Sequence, residues 1–232
     1  MSLKEKFLPL LGRVFGRNSF AQAGEDAVLS FLWNSKNIDI PTYLEIGVCD
    51  PRNGNNTYLY HLKGGSGVLV EADLSQIKGI KEKRPNDRVI HAGISSISNL
   101  LEADFYVFDI PAVNTFDPAE AEIRKIEGRK LLRIDKVPLH SINVIIEQNF
   151  ETYPQFLSID IEGLDYDVLK DWDHQSFPIP VICVETCKYS ETLIKEKDER
   201  FQKLMLVKGY FIYADTYINT IFVNKEWFYK LK

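Results

Sequence analysis

A chain of 232 residues with 45% hydrophobic side chains is long enough to bury the core of one large α/β domain. Its 28 basic and 33 acidic residues leave a formal charge of −5 and a pI near 5.5, which argues against the electrostatic footprint of a nucleic-acid binder. Three cysteines cannot all pair. No run approaches the roughly 18 apolar residues of a membrane span, and Phe7-Leu8-Pro9-Leu10-Leu11 is too short for a signal peptide. The expectation is a soluble cytoplasmic protein with reduced thiols and no integral membrane segment.

Leu3, Phe7, Leu10, Leu11, Val14 and Phe15 recur at helical spacing. Residues 1–18 therefore read as an amphipathic arm, a packing or homodimer element rather than a membrane one, ahead of a single domain over residues 19–232. Ser19 to Leu32 reads as a capped helix, with Glu25 and Asp26 in its first turns, that covers one edge of a ligand pocket. Strands and helices then alternate: strand Tyr43 to Gly47, a helix from about Thr57, strand Gly67 to Ala72, a helix from Ser75, strand Arg88 to Ile94. Residues 96–140 interrupt this pattern with a strand at Phe105 to Phe108, a helix from Pro118 to Gly128 and a strand from Leu131 to Leu139, and are read as an insertion. The alternation resumes with a helix from Ile142, strand Phe156 to Asp160, helix Gly163 to Trp172, strand Val181 to Glu185 and helix Glu199 to Val207. Two closely linked strands, Tyr210 to Ala214 and Asn219 to Asn224, end the chain, and only a hairpin fits so short a connection. The expected fold is doubly wound α/β, a mostly parallel seven-stranded sheet closed by an antiparallel C-terminal hairpin.

Two strand ends carry the functional signal. Glu45-Ile46-Gly47 runs into Cys49-Asp50-Pro51, and one strand later Val70 is followed by Glu71-Ala72-Asp73. A βαβ unit tipped in this way presents a backbone turn and a carboxylate to a nucleoside, the second acid being placed for ribose hydroxyls. The turn lacks the G-x-G-x-x-G of a pyrophosphate site, which points to a cofactor without phosphates. Gly47 would let the backbone approach that ligand, and Glu45 would accept from a cationic group; the competing reading is a tight turn with a capping acid.

Further along, Asp160, Glu162 and Glu185 form a three-carboxylate cluster at the carboxyl ends of neighbouring strands, the edge where doubly wound folds bind ligands. Three readings stay open for it. Asp160 or Glu162 is a general base or substrate contact; Asp160 and Glu185 hold Mg²⁺, which lowers the acceptor's pKa; or the acids cap helices and position the cofactor. Gln22 and Asp26 read equally as ligand contacts and as an exposed first turn. His61 is read as a packing residue, while His140 remains a candidate base. Cys183 and Cys187 lack the other ligands of a zinc site. Tyr210, Phe211, Tyr213 and Tyr217 suit either an acceptor wall or a packed hairpin.

In chain order, several segments resemble the FkbM-like S-adenosylmethionine-dependent methyltransferases: Gln22-Ala23-Gly24-Glu25-Asp26, Tyr43-Leu44-Glu45-Ile46-Gly47 with Asp50-Pro51, and Asn56-Thr57-Tyr58-Leu59-Tyr60. Val70-Glu71-Ala72-Asp73, Arg84-Pro85, Asn114-Thr115-Phe116 and Phe156-Leu157-Ser158-Ile159-Asp160-Ile161-Glu162-Gly163 continue the series. The resemblance covers about Phe20 to Val223 and agrees with the class I methyltransferase (Rossmann-like) sheet. It implies that Glu45, Gly47 and Asn56 surround the methionine portion of the cofactor, that Glu71 holds the ribose, and that Ala92-Gly93-Ile94 lies beside the adenine. Gln22, Ala72 and Asp160 complete the expected cofactor contacts. It also implies methyl transfer to oxygen of a small-molecule or carbohydrate acceptor, such as a sugar, glycan or secondary-metabolite hydroxyl. The alternative is a methyltransferase-fold protein that binds a nucleoside or a partner without turnover. Where the family commonly carries Glu-Gly-His-Glu, this chain reads Glu162-Gly163-Leu164-Asp165. That histidine is either a base this protein lacks or a helix-face residue whose replacement is structural.

Overall fold

A computed structural model describes residues 19–96, 100–161, 163–187 and 196–230. The N-terminal arm and Glu162 lie outside these residues. In chain order the elements are α1 (Glu25–Ser35), β1 (Tyr43–Ile46), α2 (Tyr58–Leu62), β2 (Gly67–Glu71), α3 (Leu74–Lys83), β3 (Arg88–His91), β4 (Gly93–Ile94) and β5 (Glu102–Phe108). They continue with α4 (Pro118–Ile126), β6 (Leu131–His140), α5 (Ile142–Asn149), β7 (Phe156–Ile159), α6 (Asp165–Asp171) and β8 (Val181–Glu185). The last are α7 (Glu199–Val207), β9 (Tyr210–Asp215), β10 (Asn219–Asn224) and a short α8 (Lys225–Tyr229), which the sequence pattern did not announce.

Seven strands form one sheet in the order β3-β2-β1-β7-β8-β10-β9. The first five are parallel, and β10 runs antiparallel between β8 and β9, as the hairpin expectation requires. This is the class I methyltransferase order. Side chains alternate between two faces, both covered, so β1 and β7 are buried at every position and β8 at all but its last, Glu45 and Ser158 included. Leu44, Val70, Leu157 and Ile182 meet Ile146 of α5, Leu169 of α6 and Met205 of α7 on one face. Tyr43, Leu69, Phe156 and Cys183 meet Leu32 and Trp33 of α1 on the other. Burying each large side chain there contributes roughly 1.5–3 kcal/mol.

Two expectations need correction. The strand read as Arg88 to Ile94 is broken at Ala92: β3 stays with β2, while Gly93 and Ile94 join a second sheet ordered β4-β6-β5. A glycine is required at the crossing, because a Cβ on Gly93 would lie 2.4 Å from the Phe116 ring. The residues read as an insertion thus supply β5, α4 and β6. The first helix starts at Glu25 rather than at Ser19, because Gly24 takes a left-handed φ of 91°. Asp26 then accepts hydrogen bonds from Ser19 Oγ and Phe20 N, both at 2.7 Å, which folds the preceding residues back. Among the described residues, no helix is long and apolar enough to cross a membrane.

Candidate active site

Glu45 and Glu71 leave adjacent parallel strands, yet they enter different environments. Glu45 is buried in a lock of side chains, its carboxylate accepting from Asn55 Nδ2 at 2.7 Å and Thr57 Oγ1 at 2.6 Å, with Arg84 Nη1 3.9 Å away. Arg84 is wholly buried and satisfies all its donors within the protein. Nε donates to Asp87 at 2.6 Å, Nη1 to Pro51 O and Asn55 Oδ1 at 3.2 Å, and Nη2 to Thr57 Oγ1 at 2.8 Å and Tyr43 Oη at 3.3 Å. The lock ties the turn after β1 to the end of α3. Glu45 is not among the residues lining the cavity at the strand ends.

That cavity encloses about 270 Å³ and is lined by the carboxyl-end residues Gly47, Cys49, Glu71, Asp160 and Glu185. Gly47 has φ 82°, and a Cβ on it would stand 1.9 Å from the Asp160 carbonyl oxygen. Only glycine lets the ends of β1 and β7 approach this closely. The turn then wraps over Glu71, whose Oε2 accepts from Val48 N at 3.1 Å and Cys49 N at 2.9 Å, and whose Oε1 accepts from Asp73 N at 2.8 Å. Burial pushes the Glu71 pKa up, and the three N–H groups oppose this. A carboxylate offers about four lone-pair sites, so capacity remains toward the cavity. Burial also pushes the Cys49 thiol up to about 11, with the Glu71 charge adding to it; the thiol stays protonated near neutrality and is no nucleophile.

Away from the acids the lining turns apolar. Ala72, Ala92, Gly93 and Ile94 face Phe105, Val113 and Phe116, and the two phenylalanine rings pack 4.6 Å apart. Asn114 stands beside them, its Oδ1 accepting from Phe108 N at 2.8 Å. Gln22 lines the cavity from the opposite end of the chain, its Oε1 lying 3.4 Å from Asn219 Nδ2. Glu25 fixes that approach by accepting from Thr216 Oγ1 at 2.6 Å and Asn219 Nδ2 at 2.8 Å.

Of the residues expected at the cofactor, Gln22, Gly47, Glu71, Ala72, Gly93 and Asp160 converge on this cavity. Glu45 and Asn56 do not. Asn56 donates to Ser158 Oγ at 3.1 Å and points toward Cys183 Sγ at 3.6 Å, on the lock's side of the sheet. Strand alternation accounts for Glu45, since its neighbour Ile46 lines the cavity and Glu45 points to the other face; Asn56 stands in the turn before α2. Glu185 lines the cavity, and Glu162 lies outside the described residues. No group of three or more His, Cys, Asp or Glu side chains able to hold a metal is found among the described residues, so the cation reading of Asp160 and Glu185 lacks a third ligand there.

His61 packs against Tyr58 with Nδ1 3.0 Å from Asp87 Oδ2, and neither it nor His140 lines the cavity. Tyr210, Phe211 and Tyr213 serve the hairpin. Tyr210 donates to Ile179 O at 2.6 Å, while the other two pack on Phe228. Sequence reasoning gave no role to Asp165, which is buried, accepts from Ile161 N at 3.1 Å and is pushed up to about 7 by burial, with Glu185 adding to the shift. The signal available was an acid two residues after Gly163, at the start of a helix.

The family model described as methyltransferase FkbM domain matches residues 45–212. No curated protein sequence matches the chain. Among solved structures, a TehB-like SAM-dependent methyltransferase from Corynebacterium glutamicum is 9% identical with a TM-score of 0.44, over 96% of each chain. Magnesium protoporphyrin IX methyltransferase from Synechocystis PCC 6803 with bound SAM is 8% identical, covering 96% of this chain and 95% of that one at a TM-score of 0.45. An O-methyltransferase from Bacillus cereus in complex with SAH is 14% identical, covering 95% and 90% at a TM-score of 0.45. The domain match spans well over half of the sequence, and the chain belongs to the FkbM methyltransferase family.

Proposed function

We propose that this protein transfers a methyl group from S-adenosylmethionine to a hydroxyl oxygen of a small-molecule or carbohydrate acceptor. One observation carries the reading: the buried Glu71 carboxylate, fixed by three backbone N–H groups, lines the cavity at the strand ends. A carboxylate held in this way accepts from a ribose diol without reorganising. The remaining lining fits the rest of such a nucleoside. The apolar slot between Ala92-Gly93-Ile94 and Phe105 with Phe116 suits an adenine, and the bare α-carbon of Gly47 leaves room for the amino-acid portion. The turn carries no phosphate-binding glycine motif.

The bound cofactor supplies an electrophilic methyl carbon on a positively charged sulfur. The chain's own residues must align a hydroxyl with that carbon and accept its proton, since a neutral hydroxyl is a poor nucleophile. Asp160 and Glu185, both in the cavity lining, are the groups for this, with Glu162 next but one to Asp160 in sequence. Their negative charge also favours a sulfonium over a neutral thioether.

Isothermal titration with S-adenosylhomocysteine tests the cofactor assignment. Folded wild type is expected to bind, and Glu71→Ala to bind far more weakly; no heat at millimolar ligand would overturn the reading. Transfer from a ¹³C-methyl-labelled donor separates products by methyl shift, and a product carrying the label only on nitrogen or carbon would refute oxygen as the acceptor.

A further inference from the structure

A second cavity, of about 380 Å³, shares Glu185 with the first. Its chemistry is different. Arg124 of α4, Asp165 and Tyr166 of α6, and Asp198 and Arg200 at the start of α7 surround it. Arg200 holds Asp198 in a fork, Nε to Oδ1 at 3.0 Å and Nη2 to Oδ2 at 2.5 Å, and its guanidinium lies 4.6 Å from the Tyr166 ring centre. Arg124 lies 3.5 Å from Glu120 and 3.6 Å from Glu127. Each guanidinium thus already faces a carboxylate, and the acids of the lining outnumber the two arginines. An anionic ligand would find no net positive charge there.

Paired guanidinium and carboxylate groups set donors and acceptors side by side, which is what vicinal hydroxyls satisfy. The Tyr166 ring adds an apolar surface for C–H groups. We propose that this cavity binds the acceptor, an uncharged polyhydroxylated ring of the sugar type, with its reacting hydroxyl at Glu185. The assignment rests on the methyltransferase reading above. In the transfer, the hydroxyl oxygen forms a bond to the methyl carbon as the carbon–sulfur bond breaks, its electron pair staying on sulfur. The hydroxyl proton passes to Glu185. Asp165 in the same lining is buried and accepts from Ile161 N at 3.1 Å; burial pushes its carboxyl up to about 7, with Glu185 adding to the shift.

Saturation-transfer NMR with the methyl glycosides of glucose, galactose, mannose and 6-deoxymannose, with and without S-adenosylhomocysteine, tests this. The methyl glycosides of glucuronic acid and glucosamine extend the panel to an anion and a cation. At least one neutral glycoside is expected to bind at millimolar concentration and to outcompete both charged ones. Arg200→Ala, a surface ion-pair change, is expected to weaken it by about tenfold, the loss of one charge-assisted hydrogen bond, while binding to the homocysteine product persists. Failure of every neutral glycoside to bind, preference for the uronide or the amine, or binding untouched by both Arg200→Ala and Glu185→Gln would overturn the proposal. Product binding without glycoside binding defeats this proposal alone. Glycoside binding without product binding defeats the transfer reading, and with it the sugar's role as acceptor.

Discussion

Two buried glutamates on neighbouring strands show how partners separate an acid closed into a side-chain lock from one that opens onto a cavity. Glu45 and Glu71 are 4% and 7% exposed, and burial raises both pKa values. Glu45 meets side chains throughout, and its counter-charge is a guanidinium with every N–H engaged. Glu71 meets backbone N–H groups and opens onto a void. The first arrangement is complete without a ligand. The second retains acceptor capacity where a ligand would sit, so burial alone does not tell the two apart.

The largest effect that tests this contrast is Arg84→Ala. It leaves Glu45 and Asp87 buried without their cation and should cost about 3–5 kcal/mol in denaturant unfolding. A loss near zero would show that the lock is not electrostatic. Gly47→Ala comes next, because it forces a Cβ against the Asp160 carbonyl oxygen at a left-handed φ. Strain of about 1–3 kcal/mol from the backbone alone, plus the clash, is expected to lower Tm and to abolish titratable cofactor binding. A paired substitution sharpens the comparison further. Glu71→Gln sets an amide N–H against a backbone N–H, so it should lower Tm and also weaken S-adenosylhomocysteine by roughly tenfold, whereas Glu45→Gln should lower Tm and leave the affinity of the folded protein intact. If both variants behaved alike, the two acids would share one role.

The sequence announced the architecture more fully than the site. The limits of β8, α7 and β10 agree with its apolar runs and turn residues, because a strand buried on both faces and a hairpin with a short link leave few alternatives. That same double burial hid the fate of Glu45. In a sheet covered on both faces, alternation says that Glu45 and Ile46 point oppositely, but not which face holds a cavity. Arg84 reaches the lock from the far end of α3, and nothing local in Arg84-Pro85 reveals it. Ser19 looked like a helix cap until Asp26 took its hydroxyl. Gly93 looked like mid-strand until Phe116, from a distant segment, filled the space beside it. Each miss is a tertiary contact overriding a local signal.

The smallest expected effect lies in the lock and appears as a slope with pH rather than as a step. His61 stands against Asp87, and burial lowers its pKa; the Asp87 charge opposes the shift without reversing it. Because the folded pKa lies below the ordinary value of about 6.5, the unfolded chain takes up a proton first as pH falls. Stability contributed by the neutral ring is therefore present above about pH 6.5 and is lost as the solution becomes more acidic. The Tm of wild type should fall more steeply than that of His61→Gln between neutral and mildly acidic pH. Identical slopes would remove His61 from the account. No histidine lines the cavity at the strand ends, so S-adenosylhomocysteine affinity per folded molecule should not follow this slope, and an affinity that tracked it would join the two regions that Glu45 and Glu71 set apart.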